Sequence, residues 1–317
     1  MSTSEGEILH RSVLLEETLS FLSGFTGGTI VDATLGMGGH TEAILDRNPT
    51  VNVLGLDQDP EAIAFATSRL SRFGNRIRIV RSNFSDIKDV AEREISGTIM
   101  GIIADLGVSS LQFDSDVRGF SFRFDAPLDM RMDAKSDEET AAELLETRSE
   151  EEIANIIYQY GEERASRKIA RRIIERRNRN EPIKTTKELA DLVAGVVRKS
   201  PKDKIHPATR TFQALRIAVN REIDILAGFL EDSIEILDTD GVLAVISFHS
   251  LEDRIVKQTF QRRSGRCFCP PRIPQCVCGA SKTVEILTKK PITPGADEMS
   301  ENPRSRSAKL RAVRKVI

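Results

Sequence analysis

Between residues 29 and 105, short apolar runs alternate with stretches in which apolar residues recur every three or four positions. That is the pattern of buried parallel strands joined by helices. Thr29 to Thr34, Val51 to Asp57, Ile77 to Arg81 and Ile99 to Asp105 read as strands, with helices starting near His40, Pro60 and, less clearly, Asp86. Asp59 and Pro60 make an N-cap and first-turn pair. The alternation stops after Asp105. Residues 106–124 are rich in Gly, Ser, Phe and Asp and lead into an ordered loop over Ala126 to Asp133. Only helical patterns follow: Asp137 to Glu152 with eight acids and one Arg; Glu162 to Arg179 with Ile169, Ile173 and Ile174 on one face; Thr185 to Val197; and one long helix over Thr209 to Leu230. Strand character returns at Gly241 to Ser247, before a helix that Ser250 and Asp253 are spaced to cap as a box. Val284 to Thr288 and Ser307 to Val316 read as final strands. The economical architecture is an α/β sheet domain in two parts, residues 1–114 and 221–317, interrupted by an all-helical insertion over 115–220.

A chain of 317 residues, 39% apolar and 30% charged, with no Trp, fits one large or two ordinary globular domains. Its purely apolar runs, such as Val242 to Ile246, are far shorter than the ~20 residues of a membrane helix, so no membrane partner is expected. Glu5 and Glu7 stand where an export signal carries cations, which points to the cytoplasm. The net charge of −2 hides a segregation: residues 161–220 and 262–317 each carry an excess of nine positive charges. Such a distribution suits a polyanion-facing side, although solvated helix faces would give the middle segment the same composition.

The first strand runs into Asp32-Ala-Thr-Leu-Gly36-Met-Gly38-Gly39-His40-Thr41 and then a helix. Glycines at a strand-to-helix turn let the backbone approach a ligand, and Asp57, at the end of the next strand, is placed to accept hydrogen bonds from a ribose diol. A dinucleotide fingerprint would need Gly or Ala where Thr41 stands, and no phosphate loop is present. S-adenosylmethionine carries no phosphate and needs only the turn and the ribose acceptor, so a methyltransferase is favoured over a dehydrogenase or kinase. The plain alternative is that the glycines serve the turn and Asp57 caps a helix. Phe84, in Ser82-Asn83-Phe84 after the third strand, is placed to line the adenine.

The fourth strand delivers Asp105-Leu-Gly107-Val-Ser109-Ser110 to the same edge. Methylation at carbon 5 of a pyrimidine needs a thiolate that adds to the ring, and no Cys follows Gly107 or Ser247 closely. An exocyclic amine needs only alignment and an acceptor for its proton. Asp105 is the candidate for orienting the amine and taking that proton; its plain reading is a helix cap. In Arg118-Gly-Phe120-Ser-Phe122-Arg123-Phe124, rings suited to stacking on a base alternate with arginines suited to phosphates, or the rings are simply buried. His206 and His249, each near a turn, read as structural.

Taken together, Asp32 to Thr41, Asp57, Asp105 to Gln112, Arg118 to Asp133, His206 to Asn220, Ser247-Phe-His-Ser-Leu-Glu-Asp253 and Glu301-Asn-Pro-Arg-Ser-Arg306 resemble the bacterial RsmH (MraW) family over nearly the whole chain. The resemblance implies a Rossmann-like S-adenosylmethionine-dependent methyltransferase sheet with an inserted helical domain. It also implies methylation of N4 of a cytidine in the decoding region of 16S rRNA, with the small ribosomal subunit as partner and a homodimer left open. By position, the family's cofactor contacts fall on Gly38, Gly39, His40, Asp57, Phe84, Asp105 and Gln112. Asp-Leu-Gly-Val-Ser-Ser departs from the SPPY or DPPY motif of DNA amino-methyltransferases, so a base-clamping ring must come from elsewhere, with Phe120, Phe122 and Phe124 as candidates. A ribose or small-molecule O-methyltransferase, or a nucleic-acid-binding protein with a decayed pocket, are the competing readings.

All four cysteines, Cys267, Cys269, Cys276 and Cys278, fall in one short stretch that is no framework for stapling a fold. The two Cys-x-Cys pairs are tighter than the usual zinc knuckles. The four could wrap a tetrahedral zinc, but reduced thiols, with no metal, are the leading expectation.

Overall fold

The computed structural model describes residues 12–107, 109, 112–113, 115–197, 206–270, 275 and 277–317. The chain divides into two compact units, one of Met1–Gly107 with Ile225–Ile317 and one of Val108–Asp224.

The first unit holds a seven-stranded Rossmann-like sheet: β1 Thr29–Asp32, β2 Asn52–Asp57, β3 Ile77–Arg81, β4 Ile99–Asp105, β5 Val242–Ser247, β6 Val284–Ile286 and β7 Lys309–Lys315, in the order β3-β2-β1-β4-β5-β7-β6. The first five strands are parallel. β7 then inserts antiparallel to both β5 and β6. Successive side chains alternate between faces. Val31, Ile102, Leu243 and Val245 pack with Phe229, Leu230 and Phe260, whereas Ile30, Ile103, Ala244 and Ile246 pack with Leu19, Leu22, Ile44 and Leu45. With both faces covered, every residue of β5 is buried, which is why the strands read as continuous apolar runs. Leu19 and Leu22 belong to a helix, Leu15–Leu22, that the sequence pattern left unassigned.

Asp59 caps the helix Pro60–Leu70 as expected, accepting from Glu61 N at 3.0 Å. The cap of the helix Ser250–Arg263 differs from expectation: His249 and Glu252 form the box, not Ser250 and Asp253. The longer Glu252 side chain reaches back to accept from Phe248 N and His249 N, at 2.8 and 3.2 Å, satisfying two donors at once. Asp253 turns instead to β7, pairing with Arg311 at 2.7 Å and Lys309 at 3.3 Å.

The second unit is built on helices Ala141–Thr147, Glu150–Gly161, Ser166–Asn178, Thr186–Val196 and Thr209–Val219 around Ile153, Ile157, Ile169, Ile173, Leu189, Val193, Phe212 and Leu215. Three of them start with capping boxes, at Thr140 and Glu143, Ser149 and Glu152, and Thr185 and Glu188. The long helix expected over 209–230 is two, Thr209–Val219 and Glu222–Ile236. Arg221 between them is left-handed (φ 52°), a conformation that costs roughly 1–2 kcal/mol. Asn220 offsets it: its Nδ2 donates to Met130 O and Arg216 O, and its Oδ1 accepts from Met132 N, all at 2.8 Å. Arg216 and Glu222 pair at 2.8 Å on the two sides of the break.

Asn220→Ala leaves the Met132 N–H and the Met130 carbonyl without these partners and should lower stability by about 1–3 kcal/mol. A urea titration followed by circular dichroism reads this as a lower midpoint; an unchanged midpoint would show that the break is held by other contacts.

Candidate active site

β1 lies between β2 and β4, so the chain leaves it toward one side for β2 and β3 and returns on the other for β4 and β5. Sheets of this kind collect ligands outside the carboxyl ends of the strands at that reversal. Asp32, Asp57 and Asp105 end the three strands there.

The glycine turn is tied to this rim by backbone bonds. Leu35 N donates to Leu56 O and Gly38 N to Leu35 O, each at 2.8 Å. Gly36 and Gly38 have φ of 50° and 77°, which glycine adopts without the Cβ penalty. Gly38 is the N-cap of the helix Gly39–Arg47, so Gly39 and His40 open its first turn. Asp57 is not a helix cap. Its Oδ2 accepts from Gly36 N at 2.7 Å and its Oδ1 from Asp59 N at 2.9 Å, which locks the turn to the end of β2. Burial raises its pKa, while those two N–H groups pull it back down.

Asp32 is buried and accepts from Thr41 Oγ1 at 2.7 Å and Thr34 N at 3.3 Å. Burial nevertheless pushes its pKa up to about 6. Asp105 is further displaced, well above the ordinary carboxyl range, by burial and by the charges of Asp32 and Glu252. Its Oδ1 is buried and has no hydrogen-bond partner among the described residues. Its Oδ2 stands 3.8 Å from His40 Nδ1, while His40 Nε2 lies 3.0 Å from Val13 O, where it can only donate. Its backbone N donates to Thr34 Oγ1 at 2.6 Å. Thr34 and Thr41 had no sequence signal beyond their place on the glycine turn; both are holding groups for the carboxylates.

Phe84 is half-buried, edge-on to Phe229 with ring centroids 5.0 Å apart, and so is partly committed to the core. Asn83 beside it donates to Gln58 Oε1 at 3.0 Å and accepts from Ser85 N. His249 is the cap already described. Gln112 belongs to the second unit, where its Oε1 accepts from Ser109 N at 3.1 Å and its Nε2 donates to Met132 O at 3.4 Å. Arg118, also there, is buried and spends Nη2 on Met132 O at 2.8 Å and Arg131 O at 3.2 Å. Phe120 is buried, and Phe122 packs on His206 and Phe212 with centroids 4.7 and 5.1 Å away. Phe124 is exposed, and Arg123 lies over Phe113, 5.6 Å from its centroid.

Residues 7–316 match the MraW methylase family. The chain belongs to that family. Its relatives include proteins named Ribosomal RNA small subunit methyltransferase H from Trichlorobacter lovleyi, 49% identical over 98% of this chain and 99% of the relative, and from Symbiobacterium thermophilum, 49% identical over 97% and 96%. A third, from Geobacter sp. strain M21, is 50% identical over 97% and 98%. S-adenosylmethionine is the cofactor of this methyltransferase family, and the rim suits it. Two positive-φ glycines expose backbone, a carboxylate ends β2, and the orphaned Asp105 Oδ1 is an acceptor left over for a ligand. None of the described helices of this MraW-family chain is long and apolar enough to cross a membrane.

Asp32 has its ordinary pKa of 3.8 when unfolded and about 6 when folded, so the fold favours its neutral form. Its contribution is therefore fully present below pH ~4 and lost as pH rises through 6, about 3 kcal/mol in all. Asp32→Asn should flatten the fall in unfolding free energy between pH 4 and 7, measured by urea titration at each pH; a parallel profile would contradict the shift. Asp57→Ala removes a charge-assisted anchor of the turn and should weaken S-adenosylhomocysteine binding by roughly tenfold or more in calorimetry.

Proposed function

We propose that this chain is an S-adenosylmethionine-dependent methyltransferase of small-subunit ribosomal RNA that acts on the N4 amine of a cytidine in the decoding region of 16S rRNA. The observation that carries the reading is Asp105, whose buried Oδ1 has no hydrogen-bond partner among the described residues at the ligand-collecting rim of a MraW-family sheet. A buried acceptor without a partner is costly and rare unless a ligand satisfies it.

In the proposed site, Gly38, Gly39 and His40 hold the cofactor at the turn. Asp57, Phe84 and Asp105 complete the set within this unit. Bound S-adenosylmethionine supplies a methyl group made electrophilic by its sulfonium. The amine nitrogen that would take this methyl group would become acidic on doing so. Asp105 orients the amine and accepts the departing proton, a step for which a raised carboxyl pKa suits it. No thiolate or covalent enzyme intermediate is needed. Phe124 and Arg123 are the candidates for base and phosphate contact, with Phe120, Phe122 and Arg118 shaping the loop that carries them. Arg164, Arg167, Lys168, Arg171 and Arg172 are exposed on and just before the helix Ser166–Asn178, a cationic face that supports an RNA partner.

The test is incubation with labelled methyl donor and unmodified small subunits, then nucleoside analysis. N4-methylcytidine is expected, and label on a ribose oxygen or on carbon 5 would overturn the assignment. Asp105→Asn should lower turnover by roughly 10²–10⁴-fold and abolish the rise of rate with pH. Wild-type turnover in that variant would remove Asp105 from the mechanism.

A further inference from the structure

Phe268 and Val277 are exposed, 43% and 76%, in the loop between the helix Ser250–Arg263 and β6. None of the described residues from 265 to 280 is buried, so no hydrophobic core fixes the loop. Its feet are joined: Ser264 and Lys282 form an antiparallel bridge, and Ser281 N and Thr283 N donate to Arg262 O and Arg263 O at 3.2 and 2.8 Å. Within it, the sulfurs of Cys267, Cys269 and Cys278 converge, all within 4.8 Å of one another.

The spacing identifies what these sulfurs suit. Cys267 and Cys278 Sγ are 3.7 Å apart. A disulfide requires about 2.05 Å. Two thiolates at tetrahedral angles on zinc, each with a bond of about 2.3 Å, stand about 3.8 Å apart. Backbone N–H groups also point at the sulfurs. Cys269 N donates to Cys267 Sγ at 3.4 Å, Phe268 N to Cys278 Sγ and Val277 N to Cys269 Sγ, both at 3.3 Å. Donors of this kind favour thiolate over thiol and orient it as a ligand. Cys276 lies outside the described residues.

We propose that Cys267, Cys269 and Cys278 bind a zinc ion as thiolates, and that the metal does for this loop what a core does elsewhere. Soft sulfur donors select zinc over magnesium or calcium. Each thiol gives up its proton on binding, so the site loads at neutral and higher pH and empties in acid.

The whole protein, purified under reducing conditions without chelator, incubated with zinc sulfate and desalted, should hold one zinc per chain by plasma emission spectrometry. Cys267→Ser and Cys278→Ser should each fall below a tenth of that, with far-ultraviolet circular dichroism and S-adenosylhomocysteine binding unchanged. Cobalt reconstitution of the wild-type chain gives a second reading that needs no variant: a thiolate-to-cobalt charge-transfer band in the near ultraviolet. Zinc near zero after reconstitution, no such band, or zinc retained in both serine variants would each overturn the proposal.

Discussion

Parallel pairing places the carboxyl ends of β1, β2 and β4 at one rim, and each ends in aspartate. Three acids crowded where the sheet reverses could not all stay ionised without help, and the site is organised by how unequally that help is given. Asp57 has two backbone N–H groups; Asp32 has a threonine hydroxyl and one N–H; Asp105 has an oxygen with no partner among the described residues and a histidine nitrogen 3.8 Å away. The group left most wanting is the one assigned the chemistry. Giving acids in one pocket different environments is how proteins separate binding roles from proton-handling roles.

The glycine turn depends on the same arrangement. Gly36 N serves Asp57, Thr34 holds both the backbone of Asp105 and, through its N–H, the carboxylate of Asp32, and Thr41 anchors the following helix to Asp32. The turn is thus a crosspiece joining three strand ends, which explains Thr41 where a dinucleotide-binding turn would have a small residue.

Features encoded locally were legible in the sequence. Four of the five parallel strands, β1, β2, β4 and β5, follow from runs buried on both faces, whereas β3, expected to be buried, lies at the sheet edge and is only partly covered, and the Asp59–Pro60 helix start follows from cap chemistry. Asp57 and Asp105 were legible as acids closing predicted strands. What stayed hidden depends on distant partners. Helix periodicity runs through Asn220, whose bonds to the distant Met130 and Met132 fasten the break there. The cap at His249 rather than Ser250 is a contest between a long and a short carboxylate, decided by reach. In the Arg118 to Phe124 stretch, alternation said that some rings are buried but not which, and it is Phe124 that the fold leaves exposed. Thiol convergence over Cys267 to Cys278 needed the loop's joined feet.

The strands β4 and β5 are hydrogen-bonded neighbours, yet more than a hundred residues separate them along the chain. Closing so long a connection before any reward is entropically slow. The intervening segment carries its own hydrophobic centre and three self-capped helices, so it can gather locally first and shorten the effective tether. Nascent chains should therefore pass through a stage in which the insertion is formed while the central sheet is still open between β4 and β5, and a mutation that loosens the insertion would slow assembly of a sheet it does not belong to.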